Sequence, residues 1–216
     1  AGGLSAIDQA PGFDYPAGYT AFEFGFVLLQ AAAFGGVFTG FSIAADFQFG
    51  FGRRLLLATP NRTALILGYG FVSMVRAAIT LAVVTAVGLA AGMEVLGSGT
   101  EIVGLYLLAA IVNIAGTLFA AGIALRFRSL QATPLMMVPT FLFLFLAPVY
   151  VPRDLLGGWV HAVSGFDPAT PIMETVRELL AGQPADFLLA LGVAVGLAAA
   201  LAVFAVRGLR KAEMAG

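Results

Sequence analysis

Few side chains in this sequence are equipped for covalent chemistry. It holds one histidine (His161), one lysine (Lys211) and no cysteine in 216 residues, which excludes a disulfide framework, thiolate catalysis and a cysteine metal site. His161 and Ser164 are spaced to share a helix face, but no G-x-S-x-G elbow and no third orienting group accompany them, so hydrolysis by a nucleophilic serine has little to stand on. No G-x-x-x-x-G-K-[ST] occurs, and Lys211 lies in the C-terminal tail, so the chain has no phosphate-binding loop of that type. We therefore expect no enzymatic activity, no bound cofactor, no metal and no nucleic-acid partner.

The polar residues that stand out are embedded in apolar sequence. Glu23, Gln30, Arg76 and Asn113 each interrupt a long hydrophobic run. Such residues are costly in hydrocarbon, so each needs a function or a partner. Counting ~1.5 Å per residue along each span puts Gln30, Arg76 and Asn113 near mid-membrane and Glu23 closer to one surface. They could line a substrate path. They could equally hold helices together, through a Glu23–Arg76 pair and amide hydrogen bonds.

The elements that position these residues follow from composition. Sixty per cent of the chain is hydrophobic and only 11% is charged, against about a quarter charged in a soluble domain. The expected fold is an all-α membrane protein forming a single transmembrane domain over residues 1–216. Five runs are long enough to cross ~30 Å of hydrocarbon: about 21–45, 64–91, 102–125, 134–151 and 187–206. Pro139 and Pro148 fall in the fourth, where neighbouring helices can re-satisfy the backbone. Gly36-x-x-x-Gly40, Gly88-x-x-x-Gly92 and Gly192-x-x-x-Gly196 would permit close helix approach.

Basic residues set the orientation. Arg53, Arg54, Arg62, Arg126, Arg128, Arg207, Arg210 and Lys211 share one side, while Asp8, Asp14, Glu94, Glu101, Asp154, Asp167, Glu174, Glu178 and Asp186 share the other with Arg153 and Arg177. By the positive-inside rule the C-terminus is cytoplasmic and residue 1 is outside. Nothing in residues 1–18 would carry them across, so a further N-terminal span is expected and the complete subunit would have six.

Two connecting segments carry pattern. In residues 46–62, Asp46 can cap a helix start, Gly50 and Gly52 allow a sharp change of direction, and Thr59-Pro60 fits a helix N-cap followed by proline. Phe51 to Ala58 between them reads as a short amphipathic helix, with Arg53 and Arg54 beside Leu55, Leu56 and Leu57. It could anchor two helices to lipid headgroups or make a mechanical contact with a cytoplasmic partner. In residues 152–185, Pro152 precedes a short helix over Asp154–Val163 that contains Trp159. A Phe166-Asp167-Pro168 turn leads to a second helix over Thr170–Ala181, with Thr170 as N-cap, Pro171 first and Gly182 as the stop. This fits a hairpin dipping into the outer leaflet or lying on its surface.

These stretches resemble a known family. The run Ile43-Ala44-Ala45-Asp46, then Gly52-Arg53-Arg54-Leu55-Leu56-Leu57-Ala58-Thr59-Pro60-Asn61-Arg62, is similar to the permease subunits of ABC type-2 exporters, above all the daunorubicin-resistance-like branch. So are Pro148-Val149-Tyr150-Val151-Pro152 through Trp159, Phe166-Asp167-Pro168-Ala169-Thr170-Pro171, and Glu174-x-x-Arg177. Together they cover nearly the whole chain in order. The sequence departs from the family in having Ala147-Pro148 where Ser-Gly is usual, and in lacking the N-terminal amphipathic helix and first span.

The resemblance implies a drug, lipid or polysaccharide exporter in a bacterial plasma membrane. It implies two permease subunits, identical or different, with ATP and magnesium bound by separate cytoplasmic ATPase subunits. Phe51 to Ala58 would be a coupling helix docked into the ATPase. Pro152, Trp159, Asp167, Pro168 and Arg177 would belong to a re-entrant hairpin near the outer exit. Rival readings are a membrane scaffold that moves no solute and an ion-coupled carrier.

Overall fold

The computed structural model describes residues 15–58, 62–149, 158 and 164–214, with the side chains of Leu56, Arg62, Thr63 and 210–214 left aside. Its regular elements are helical: α1 (Gly18–Gln48), α2 (Phe51–Ala58), α3 (Arg62–Ala90), α4 (Gly99–Phe127), a 3₁₀ turn (Leu130–Ala132), α5 (Thr133–Phe145), α6 (Ala169–Ala181) and α7 (Phe187–Met214). Four of them are long and apolar enough to cross a bilayer: Gly18–Gln48, Ala64–Ala90, Gly99–Phe127 and Phe187–Leu209. The chain is an integral membrane protein on this measure. Even the shortest, at 23 residues, reaches ~35 Å.

The expected fourth span over 134–151 is shorter than its apolar run. Helix α5 has 13 residues, only ~20 Å of helix. It runs through Pro139 and stops before Pro148, whose ring disfavours a helical residue ahead of it. The backbone of Pro148 and Val149 is instead satisfied from α6, as described below. The sequence also misplaces the start of α4. Ser98 and Glu101 form a reciprocal cap, with the Ser98 N–H donating to Glu101 Oε2 at 2.6 Å and the Glu101 N–H to Ser98 Oγ at 3.5 Å, so the helix begins three residues before Ile102.

Helix α3 ends on Gly92 at φ +88, with the Met93 N–H reaching Gly88 O at 3.0 Å. Helix α6 ends in the same way on Gly182 at φ 64, with the Gln183 N–H on Glu178 O at 2.9 Å. Both are left-handed glycine stops that satisfy terminal carbonyls. Gly182 is thus the stop the sequence indicates.

The chain forms two compact units. One comprises Ala1–Ala31, Leu81–Ala109 and Phe141–Ala194, and the other Ala32–Thr80, Ala110–Thr140 and Val195–Gly216. The core of the first is Leu28 and Leu29 from α1, Leu105 and Leu108 from α4, Leu144 from α5, and Ile172, Met173 and Leu180 from α6. Phe26 meets Phe145 edge to face at 5.3 Å. The core of the second holds Val37 and Ile43 from α1, Leu125 from α4 and Met136 from α5. Helix α1 is the most buried of the long helices and α7 the least, with 61% against 11% of their most apolar stretches covered. The apolar faces of α3 (Leu67, Phe71, Val75, Ile79, Val83) and α7 (Leu188, Leu189, Val195, Val203) are exposed, as lipid-facing surfaces are in a bilayer.

Candidate functional site

In the second unit the short helix expected over Phe51–Ala58 is present with those limits. Gly50, at φ +84, turns the chain between α1 and α2, a conformation glycine adopts without strain. A Cβ on Gly52 would lie 2.8 Å from the Phe47 ring, so Phe47 tucks beneath the first turn of α2. The Arg128 guanidinium sits 5.8 Å from the centre of that ring on its other approach. Gln48 Oε1 accepts the Leu130 N–H at 2.8 Å and the Ser129 hydroxyl at 3.4 Å. The base of α2 is therefore braced to the turn between α4 and α5.

The outward side of α2 is bare. Phe51 is 56% exposed, Leu57 is 89% exposed, and Arg53 and Arg54 are exposed beside them, with Leu55 half-buried. Large apolar side chains held next to two cations suit either a protein groove or a headgroup layer. Pro60 lies outside the described residues, and the Leu56 side chain is not described. Asp46 does not cap a helix start. It lies in the last turn of α1 and accepts the Tyr69 hydroxyl at 2.5 Å.

Asn113 is bonded at both ends of its amide. Fully buried, it donates from Nδ2 to Ala32 O at 2.9 Å and accepts the Ser73 hydroxyl on Oδ1 at 3.1 Å. Ser73 and Thr117 hydroxyls lie 2.7 Å apart, and Thr117 donates to Asn113 O at 2.8 Å. All three side chains are buried and partnered, which makes this a knot joining α1, α3 and α4. Its hydrogen bonds are the kind that hold helices together. Glycines admit it: a Cβ on Gly36 would fall 2.5 Å from both Asn113 O and the Thr117 nitrogen, and one on Gly116 would fall 2.6 Å from Ala33 O. Gly40 backs onto Ala120 in the same way. Gly192 and Gly196, by contrast, have open space where a Cβ would stand.

Arg76 is half-buried on α3. In the first unit Gln30 is half-buried, and Glu23 accepts the Tyr19 hydroxyl at 2.9 Å. The Glu23 carboxylate also acts electrostatically on Arg177.

Arg177 is the centre of the first unit. It is 4% exposed and donates from Nε to Phe22 O at 3.1 Å, from Nη1 to Pro148 O at 2.7 Å and from Nη2 to Val149 O at 2.6 Å. Its guanidinium lies 3.5 Å from the Phe22 ring centre, and Gly25 leaves room for its Cγ. Tyr15 donates its hydroxyl to Arg177 O at 2.6 Å. Burial lowers the guanidinium pKa to about 10, opposed by Glu23, Tyr15, Glu174 and Tyr19, so it remains charged at neutral pH. A planar fork with several fixed donors is what three carbonyls at different angles require. Arg177 thus ties α6 to α1 and to the strand of chain leaving α5.

Helix α6 has its N-cap two residues earlier than the sequence suggests, at Pro168 and not at Thr170. Asp167, just ahead of the N-cap, supports this start, its Oδ1 accepting the Ala169 N–H at 3.0 Å and its carbonyl the Thr170 N–H at 3.1 Å. Pro168 sits at the N-cap with φ −65. Asp167 Oδ2 and Thr170 Oγ1 are buried without a hydrogen-bond partner, and burial raises the Asp167 carboxyl to about 6 against the cap bond that lowers it. Ten of the 13 residues of α6 are buried, more than a helix lying free on a surface would show. Pro152, Trp159 and His161, with most of the expected Asp154–Val163 helix, lie outside the described residues.

Sequence reading missed Ser73, Thr117, Tyr69 and the carbonyl partners of Arg177. Comparison with protein-family models, with curated proteins and with solved structures returned no match.

Proposed function

We propose that this chain is the permease subunit of an ATP-driven exporter of the ABC type-2 kind, moving an amphiphilic drug, lipid or lipid-linked glycan out of the cytoplasm or inner leaflet. The reading takes residues 134–151 as a fifth crossing beside the four long helices, and residues 152–185 as a re-entrant hairpin of the outer leaflet. It puts the C-terminus on the cytoplasmic side of a bacterial plasma membrane. A second permease subunit, the same or different, completes the path, and ATP and magnesium are held by a separate ATPase chain. This chain performs no covalent step. It converts closure of the ATPase pair into a change of helix packing.

The observation that carries the proposal is α2: an eight-residue helix between two long apolar helices, braced at its base and bare on its outward side. A brace of that kind suits transmission of force, because displacement of α2 reaches Gln48 and the α4–α5 turn together. The test is co-purification of the complete protein with an ATPase, with the double variant Arg53→Glu/Arg54→Glu as control. An ATPase retained by wild type and lost from the variant is expected. Absence of any associated ATPase activity would remove the exporter reading and leave a scaffold or a carrier.

A further inference from the structure

Beyond transport, one cation among the described residues of the second unit keeps a buried donor unpartnered. Arg126, in the last turn of α4, folds back so that its guanidinium carbon lies 3.9 Å from the centre of the Phe204 ring on α7. Its Nε is buried and makes no hydrogen bond. An arginine that only snorkels extends its head into water and leaves no donor dry. A buried N–H with no acceptor is costly, and more so on a charged group.

The arrangement is built rather than incidental. Phe204 is held by stacking on Phe119, with ring centres 6.2 Å apart and planes at 22°. Helices α4 and α7 cross on glycine, since a Cβ on Gly208 would meet Gly122 O at 2.7 Å and one on Gly122 would meet the Phe204 ring. That crossing sets Arg126 on its platform. Arg207 is exposed three residues after Phe204, a neighbouring position on the same helix surface. The guanidinium fork matches phosphate oxygens, and basic pockets between membrane helices suit anionic headgroups.

We infer that Arg126, seated on Phe204 at the α4–α7 crossing and flanked by Arg207, binds a phosphate-bearing anion. An anionic lipid headgroup and free phosphate share this chemistry, and the experiment separates them. The assay is electron spin resonance of the full chain in phosphatidylcholine liposomes, comparing uptake of spin-labelled phosphatidylglycerol and spin-labelled phosphatidylcholine into the protein-restricted shell. Wild type should prefer phosphatidylglycerol about five-fold, the factor one basic side chain near the surface is worth.

Arg126→Gln should remove most of that preference. Phe204→Leu, which keeps the apolar packing, should reduce it without loss of fold. Arg126→Lys, which keeps the charge and loses the fork, should reduce it as well. Persistence of the preference in millimolar inorganic phosphate identifies a lipid as occupant, and displacement by phosphate identifies the free anion; both support the site. Equal uptake of the two lipids by wild type overturns it. So does a preference unchanged in Arg126→Gln, or one kept in full by Arg126→Lys, which would reduce the effect to general surface charge.

Discussion

Replacing Arg177 by leucine tests how the first unit is held. The substitution removes three hydrogen bonds and the contact with the Phe22 ring. Phe22 O lies within α1 and keeps its helical environment, but Pro148 O and Val149 O belong to buried residues outside any helix. Each buried carbonyl left unpaired costs ~1–3 kcal/mol, and the cation–ring contact adds ~1–2 kcal/mol. Relief from burying a charge offsets part of this. A net loss of ~3 kcal/mol follows, or a factor of ~150 in a local opening equilibrium.

Hydrogen exchange read by mass spectrometry on peptides covering 143–149 and 169–182 measures that opening in detergent-purified protein. Arg177→Leu should accelerate both regions by about two orders of magnitude. Arg177→Lys, a single point donor in place of a fork, should fall between. Exchange in Arg177→Leu within two-fold of wild type would refute the argument, because it would mean the two carbonyls do not need the guanidinium.

Two further outcomes follow from the same kind of accounting. Gly36→Ala drives a methyl group into the backbone of residues 113 and 117 and should cost ~1–3 kcal/mol, seen as a lower melting temperature, whereas Gly192→Ala enters open space and should be neutral or gain up to ~1 kcal/mol from helix propensity. The Asp167 carboxyl is raised from 3.8 to about 6, so its contribution favours the folded state below the unfolded value and is lost as pH rises through 6. Melting temperature should therefore climb as pH falls from 7 to 5, and Asp167→Asn, which keeps an acceptor for the Ala169 N–H, should flatten that part of the profile.

The long helices were legible because twenty or more apolar residues in sequence have few other solutions. The limits of α2 were legible as well, since Gly50 and the Arg53-Arg54 step are local signals. So was Gly182, because a left-handed stop is a property of one residue and its two neighbours. The Ser98–Glu101 cap is equally local, an S-x-x-E step in the sequence. What could not be read was pairing at a distance. Asn113 stands out in the sequence as a path or packing residue, but its partners are 40 and 81 positions away, and only folding brings them to one level. Arg177 was assigned to a hairpin by its neighbourhood, while its acceptors are main-chain carbonyls, which carry no sequence signature. The length of α5 was misjudged because hydropathy reports where lipid is tolerated, and Pro148 decides where the helix ends.

The contact of α1 with α4 at Gly36, Gly40 and Gly116 has a mechanical side. Backbones that approach this closely leave little room for side chains between them, and the Asn113 bonds fix the register of the two helices at this level. Pinned there, they act as one rod within the second unit. Any displacement delivered to the rod must be absorbed where the chain leaves it, at Gly50 after α1 and at Arg128 after α4. Both have left-handed backbone torsions, φ 84 and φ 51, and they are the two joints about which this rod would pivot.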